Sequence, residues 1–170
     1  MEGEVNKMTK QYFLEVADYN IWANDIVLSW LNNITNEQWE KHVVSSFNSI
    51  AETVLHITSA ETIWLERLKK TESPVWLQST FKGTRNEVIG LWKNASAGLK
   101  KFVEGFNEEA LMDKLVFRRL NGDRYEMPHY QVFAHIFNHS AYHRGQLVTM
   151  LRQVGFTDVG STDMLGFFRK

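Results

Sequence analysis

The sequence predicts an all-α protein, a four-helix bundle with a short β-hairpin before the last long helix. Two observations lead to this fold class. Four long segments repeat apolar residues at intervals of three and four, which places those residues on one face of a helix. Residues 114–128 instead have short β-prone runs on both sides of Asn121 and Gly122, a pair that favours a tight hairpin turn. Four amphipathic helices can share one core, so the bundle is the expected arrangement.

The first two helices are predicted on either side of an irregular stretch. Residues 9–32 carry a continuous apolar stripe, which the segment "NNITNEQW" then interrupts. The second helix is predicted to begin after Ser49, which can form a capping box with Glu52, and to run to about residue 70. Pro74 discourages its continuation.

The second half of the chain predicts two more helices and a folded tail. A capping box of Thr84 and Glu87 opens the third helix, whose apolar positions extend to Phe106. Pro128 suits the first turn of the fourth helix, which is predicted to end near residue 154, before Gly155. The tail carries apolar side chains that we expect to cover a bundle end or the mouth of a pocket, namely Met164, Leu165, Phe167 and Phe168.

Length, composition and charge favour a single-domain protein without a nucleic-acid or membrane partner. The 170 residues suit a single domain spanning residues 1–170, and the net charge of -1 gives no reason to expect a nucleic-acid partner. The N-terminus lacks the apolar core of a signal peptide and no apolar run is long enough to span a bilayer, so we expect a soluble, cytoplasmic protein without a membrane partner. The absence of cysteine leaves His, Asp and Glu as the side chains available to hold a metal ion.

The stretch "HIFNHSAYHRGQ" places three histidines at intervals of four on the fourth helix. Residues four apart differ by about 40° around a helix axis and residues eight apart by about 80°, so two of the three can chelate one ion. His143 falls near the centre of the apolar stripe, His139 about 50° away and His135 about 90° away. The inward pair is therefore His139 and His143. The alternative is that each inward imidazole bonds to a neighbouring helix, since leaving it unpaired costs about 1 to 3 kcal/mol.

A third ligand is not selected by this geometry. His42 and His129 are expected at the surface, whereas His56 lies mid-helix beside an apolar face and is permitted. A site with three nitrogen ligands leaves a coordination position for water or substrate, which is typical of a catalytic metal. Imidazole ligands suit zinc or nickel.

Four segments of the sequence are distinctive, namely "YNIWAND", "LHITSAETIWLERL", "HIFNHSAYHRGQLVTMLRQVG" and "DMLGFF". Together they resemble the DinB (damage-inducible) family of metal-binding four-helix bundles, which includes bacillithiol-transferase-like proteins. The resemblance implies that His56, His139 and His143 are the metal ligands. Gly145 is then expected at a close contact between helices. Arg144 and Gln146 are expected either to support the metal ligands or to have structural roles, and we favour the structural roles.

The resemblance implies a divalent-metal-binding protein and leaves three functions open. The first is a metal-dependent enzyme of the S-transferase type, in which the ion activates a low-molecular-weight thiol and a water or Glu52 moves protons. The alternative is a non-catalytic metal-binding or dimeric interaction module using exposed aromatics such as Trp22 or Phe81. A metal-dependent hydrolase comes third, because no inward carboxylate lies at a general-base spacing from the histidine pair. The expected partners are a small-molecule substrate or thiol and a second copy of the chain in a homodimer.

Overall fold

Helices dominate the computed structural model, which describes residues 9–169. In chain order they are α1 (Lys10–Leu31), α2 (Asn36–Glu40), α3 (Ile50–Leu68), α4 (Leu77–Thr80), α5 (Arg85–Glu104), α6 (His129–Gln153) and α7 (Met164–Phe168). A 3-10 turn (Glu108–Met112) leads into the hairpin of β1 (Lys114–Arg118) and β2 (Arg124–Pro128) before α6. The predicted all-α fold with its hairpin is therefore confirmed. Within the described range, every helix is too short or too polar to cross a bilayer.

The long helices begin where the capping residues predict. Ser49 accepts a hydrogen bond from the backbone N–H of Glu52 at 3.1 Å, but the Glu52 carboxylate accepts from the N–H of Asn48 rather than from Ser49. The capping box before α3 is thus only half formed. Before α5 both halves of the box between Thr84 and Glu87 are present.

Two connecting segments differ from the prediction. The stretch predicted only as an interruption contains α2, because Thr35 and Gln38 form a further capping box and Trp39 is buried. The third predicted helix ends at Glu104 instead of reaching Phe106, with Gly105 as its C-cap. Phe106 lies beyond the helix and packs its ring 4.8 Å from that of His129.

The four long helices do not pack in simple chain order. Both α1 and α3 pack against α5 and α6, so α1 and α3 lie across the bundle from each other. The long connections between successive helices allow this arrangement. Consequently α3 and α6, which carry the histidines of interest, are neighbours.

A polar layer separates two apolar clusters in the bundle core. At its centre lies Glu61 of α3, which is 1% exposed. Its carboxylate accepts hydrogen bonds from the other three long helices, through Asn20 (3.0 Å) and Asn24 of α1, Ser96 of α5 and Ser140 of α6 (2.9 Å). Arg144 is buried beside this layer and donates to the amide oxygens of Asn20 and Asn24, a structural role that matches the prediction.

The tail is folded back as predicted and packs against α1, whereas its expected position over a bundle end or a pocket mouth stays a prediction. The Tyr19 hydroxyl donates to the carbonyl of Thr162 at 2.8 Å, and the Phe167 ring lies 5.6 Å from that of Trp22. Trp22 and Phe81 are half-buried, Phe81 against the apolar core. Neither residue is therefore the exposed aromatic that an interaction surface was expected to use.

Candidate metal centre

Three histidines converge between α3 and α6. His56 comes from the middle of α3, and His139 and His143 come from adjacent turns of α6. The Nε2 atom of His139 lies 3.2 Å from Nε2 of His56 and 3.1 Å from Nε2 of His143. The candidate ligand atoms of the three residues all lie within 4.8 Å of one another. The predicted histidines are thus brought together as one group.

Two glutamines determine which ring nitrogens face the centre of this group. Nδ1 of His56 lies 2.9 Å from Oε1 of Gln78, and Nδ1 of His143 lies 2.8 Å from Oε1 of Gln146. An amide oxygen only accepts, so each Nδ1 carries the proton and each Nε2 presents a lone pair. The amide of Gln146 is itself oriented, because its Nε2 donates to Ser46 Oγ at 2.7 Å.

The close approach of the three Nε2 atoms fits a shared cation. The Nε2 atoms of His56 and His143 each direct a lone pair at Nε2 of His139. A proton on that nitrogen can form a hydrogen bond with only one of them, so the other lone pair faces a nitrogen without a hydrogen bond. With metal–nitrogen bonds of about 2.0–2.1 Å, nitrogens lie about 3.4 Å apart in a tetrahedral site and about 2.9 Å apart at right angles. The observed separations of 3.1 and 3.2 Å fall between these values. The three imidazoles can therefore hold a divalent ion and leave at least one position open.

Burial lowers the pKa of all three imidazoles, which favours the neutral form that binds a cation. Burial first, and then the charges of the neighbouring histidines, together lower the pKa of His139 from its usual 6.5 to about 3. Burial also lowers the pKa of His56 and of His143. Because metal ligation requires neutral imidazole, all three rings are in the binding form at neutral pH.

The burial of the α6 histidines follows the predicted order around the helix axis. His143 is 5% exposed, His139 is half-buried and His135 is exposed. His135 instead lies with its ring 5.2 Å from that of Trp64. The choice of His139 and His143 as the inward pair is therefore confirmed.

The prediction for His129 was wrong, whereas His42 is exposed as expected. His129 is only 9% exposed, and its ring Nδ1 lies 2.7 Å from the carbonyl oxygen of Asp113. The reason is that the 3-10 turn and the hairpin fold over the start of α6. A residue in a first helical turn is thereby covered, although the sequence pattern places it at the surface.

The expectation for Gly145 was also wrong. A Cβ atom added to Gly145 would meet nothing within 4 Å, so this glycine is not a close contact between helices. Of the two roles left open for Gln146, the structure favours support of a metal ligand over the structural role, because its side chain orients the candidate ligand His143. Gln78 was not predicted at all, because it belongs to the four-residue helix α4, which has no periodicity to reveal it.

A cavity of about 540 Å³ opens beside His56 and His139. It lies between α3, α6 and the hairpin, and Trp76 closes one side with its ring 5.9 Å from that of His56. Its walls are aromatic and cationic, including Trp64, Trp76, Phe117, Tyr125, Arg67 and Arg119. Among the described residues, neither Asp nor Glu lines it. A small molecule in this cavity would have direct access to two of the three candidate ligands.

Comparison with known proteins places the chain in a family. A sequence profile of the DinB family matches residues 6–169. The chain belongs to the DinB family. This DinB-family chain is 25% identical over 160 residues to Protein DinB of Bacillus subtilis (strain 168), a match that covers 88% of this chain and 92% of that protein. The resemblance seen in the sequence is thus confirmed.

Solved structures of DinB-like proteins share the fold. A DinB-like protein from Bacillus cereus ATCC 10987 superposes with a TM-score of 0.69 at 17% identity, covering 91% of this chain and 98% of that one. A DinB-like protein from Bacillus subtilis gives a TM-score of 0.63 at 16% identity, covering 87% and 96%. At these identities the likeness supports the DinB fold of the chain.

We expect the Gln146→Ala variant to bind a divalent ion about 10- to 100-fold more weakly, because the imidazole of His143 loses the partner that fixes its tautomer. Competition with a chromogenic chelator measures the affinity. Gln153→Ala removes an exposed glutamine from the end of the same helix and should leave the affinity unchanged. Equal affinities in the Gln146 variant and the wild type would refute the orienting role.

Proposed function

We propose that this protein is a metal-dependent enzyme that acts with a low-molecular-weight thiol, as an S-transferase. The observation that carries the proposal is the group of three neutral imidazoles, His56, His139 and His143. Two of them, His56 and His139, line a cavity that has no carboxylate among the residues 9–169 around it. The resemblance to bacillithiol-transferase-like members of the family supports the same chemistry. Zinc or nickel as the ion and a homodimer as the assembly stay predictions.

A divalent ion at this site would supply Lewis acidity, lowering the pKa of a bound thiol from about 8.5 so that it ionises at neutral pH. The thiol must come from a small molecule, since the chain contains no cysteine. In the overall reaction its sulfur would bond to an electrophilic carbon, while the leaving group departs with the electron pair and the thiol proton passes to solvent. The aromatic walls would exclude water and hold an apolar electrophile.

The nearby carboxylates argue against the hydrolase alternative. Hydrolysis usually employs a side chain as general base for water. Glu52, the candidate proton carrier from the sequence, accepts a hydrogen bond from the N–H of Asn48 at the start of α3 and does not line the cavity. Glu61 is occupied in the polar layer. An ionised thiol needs no general base, so a cavity lined without a carboxylate among the described residues favours thiol transfer over hydrolysis.

The test is thiol consumption by protein loaded with zinc or nickel, with mercaptoethanol as thiol and a chloronitrobenzene as electrophile. We expect turnover that requires the ion and is lost in His143→Ala, while the exposed control His42→Ala keeps it. If the protein binds one ion per chain but consumes no thiol, the proposed enzyme activity is wrong and the non-catalytic metal-binding module is favoured. Metal-dependent cleavage of a nitrophenyl ester without thiol consumption would overturn it in favour of the hydrolase.

A further inference from the structure

Arg67 contributes a half-buried cation to the wall of the cavity beside the histidines. Its guanidinium Cζ lies 4.7 Å from the ring centroid of Trp64 and 5.2 Å from that of Phe117. One terminal nitrogen donates to the carbonyl of Arg118 at 2.9 Å. Its Nε is buried and, within residues 9–169, has no hydrogen-bond partner. A buried donor without a partner is costly.

Arg119 adds a second cation to the same wall. It follows β1, and the alternation of side chains along the strand places it on the same face as Phe117. Its Cζ lies 5.1 Å from the ring centroid of Tyr125, and Nη1 donates to the Tyr125 hydroxyl at 3.4 Å. Both residues line the cavity, so two guanidinium groups face one small volume.

Within residues 9–169, no carboxylate forms an ion pair with Arg67 or Arg119. The ion pairs found in the described part of the chain join Lys100 to Asp18 and Glu104, and Lys114 to Glu126. Burial, and next the charge of Arg119, lower the pKa of Arg67. Two like charges beside aromatic rings and without a counter-ion favour entry of an anion, for which planar guanidinium groups are well suited.

We propose that Arg67 and Arg119 form an anion subsite, so that the small molecule taken by this cavity carries a carboxylate or phosphate beside an apolar or aromatic body. The role of this molecule as thiol or electrophile rests on the proposed function, whereas its binding needs no metal ion. The subsite would hold the charged end while the aromatic walls hold the body. It would thereby select among the substrates that reach the histidines.

Binding to metal-free protein tests the subsite alone. The probes are phenylpropionate and its neutral amide, compared by isothermal titration calorimetry. We expect the wild type to bind the acid about tenfold more tightly than the amide, as a charge-assisted contact of about 1.4 kcal/mol gives. Arg119→Gln should remove most of this preference. Arg124→Gln deletes the same charge from β2 at a residue that does not line the cavity, and it should keep the preference.

Variants of Arg67 provide a second test. Arg67→Gln should lose the preference and Arg67→Lys should retain part of it, since lysine keeps the charge but not the bidentate geometry. If Arg67→Gln fails to fold, Arg119→Gln still decides, because Arg119 is exposed and its side chain contacts Tyr125 at the surface. Equal binding of acid and amide by the wild type overturns the subsite. Equal losses in Arg119→Gln and Arg124→Gln also overturn it.

A kinetic experiment with metal-loaded protein tests the anion subsite and the proposed thiol transfer separately. Mercaptopropionate and its methyl ester serve as thiols, and a chloronitrobenzene and a chloronitrobenzoate as electrophiles. A KM about tenfold lower for one acid, lost in Arg119→Gln, supports the subsite and identifies which substrate carries the charge. Thiol consumption with equal KM values for acids and neutral analogues overturns the subsite alone. Acid-selective binding without thiol consumption supports the subsite and overturns the proposed function.

Discussion

His139→Ala is expected to remove the bound divalent ion, because the Nε2 atom of His139 lies within 3.2 Å of both other candidate ligand atoms. Structural zinc sites with four ligands contribute about 10–16 kcal/mol, so one lost ligand costs about 3 kcal/mol, or about two orders of magnitude in affinity. Elemental analysis of protein loaded with zinc or nickel and then passed through a desalting column measures the content. We expect about one ion per chain in the wild type and far less in the variant.

The matched control for this prediction is His135→Ala. His135 lies one turn earlier on α6 and its ring is 5.8 Å from that of His139, but it does not belong to the group of three. The control should keep its ion, and His56→Ala and His143→Ala should lose theirs. If all three ligand variants keep the metal content of the wild type, these histidines do not form a metal centre.

Glu61→Leu should be among the most destabilising substitutions in this fold. It leaves buried donors on α1, α5 and α6 without their shared acceptor and removes the negative charge near Arg144. Breaking a buried charged network from one side costs about 3–5 kcal/mol, a large part of the stability of a domain. Urea denaturation followed by circular dichroism measures the change in the free energy of unfolding.

Two control variants distinguish the effect of breaking the buried hydrogen-bond network from the effect of removing one negative charge. Glu61→Gln keeps one acceptor oxygen and should cost less than the leucine variant. Glu104→Gln breaks an exposed contact of 3.7 Å with Lys100 and should change stability by less than about 0.5 kcal/mol. A Glu61→Leu protein as stable as the Glu104→Gln protein would show that the polar layer does not hold the bundle together.

Features set by local geometry were predictable from the sequence. The order of exposure of His135, His139 and His143 follows from the angular spacing of an α-helix, which does not depend on the rest of the fold. Asn121 and Gly122 likewise predict the hairpin turn, where Gly122 has a φ of 91°. Local capping chemistry predicts the starts of the helices in the same way.

Features set by packing were not predictable in this way. Periodicity permits His56 but cannot select it, because the choice depends on α3 packing beside α6, and only the family resemblance pointed to it. Gln78 reaches His56 from α4, a short helix without a sequence pattern. Gln146 did leave a signal, since it lies three residues after His143 and therefore on the same face. His129 was misplaced because long-range folding of the hairpin covers it.

The most direct test of the central claim is X-ray absorption spectroscopy at the metal edge of the zinc- or nickel-loaded protein. We expect three imidazole nitrogens at about 2.0–2.1 Å, and a sulfur at about 2.3 Å once a small thiol is added. The His56→Ala protein, if it retains any ion, should show one imidazole fewer. A coordination shell made only of oxygen, or one with fewer than two imidazoles in the wild type, would contradict the central claim.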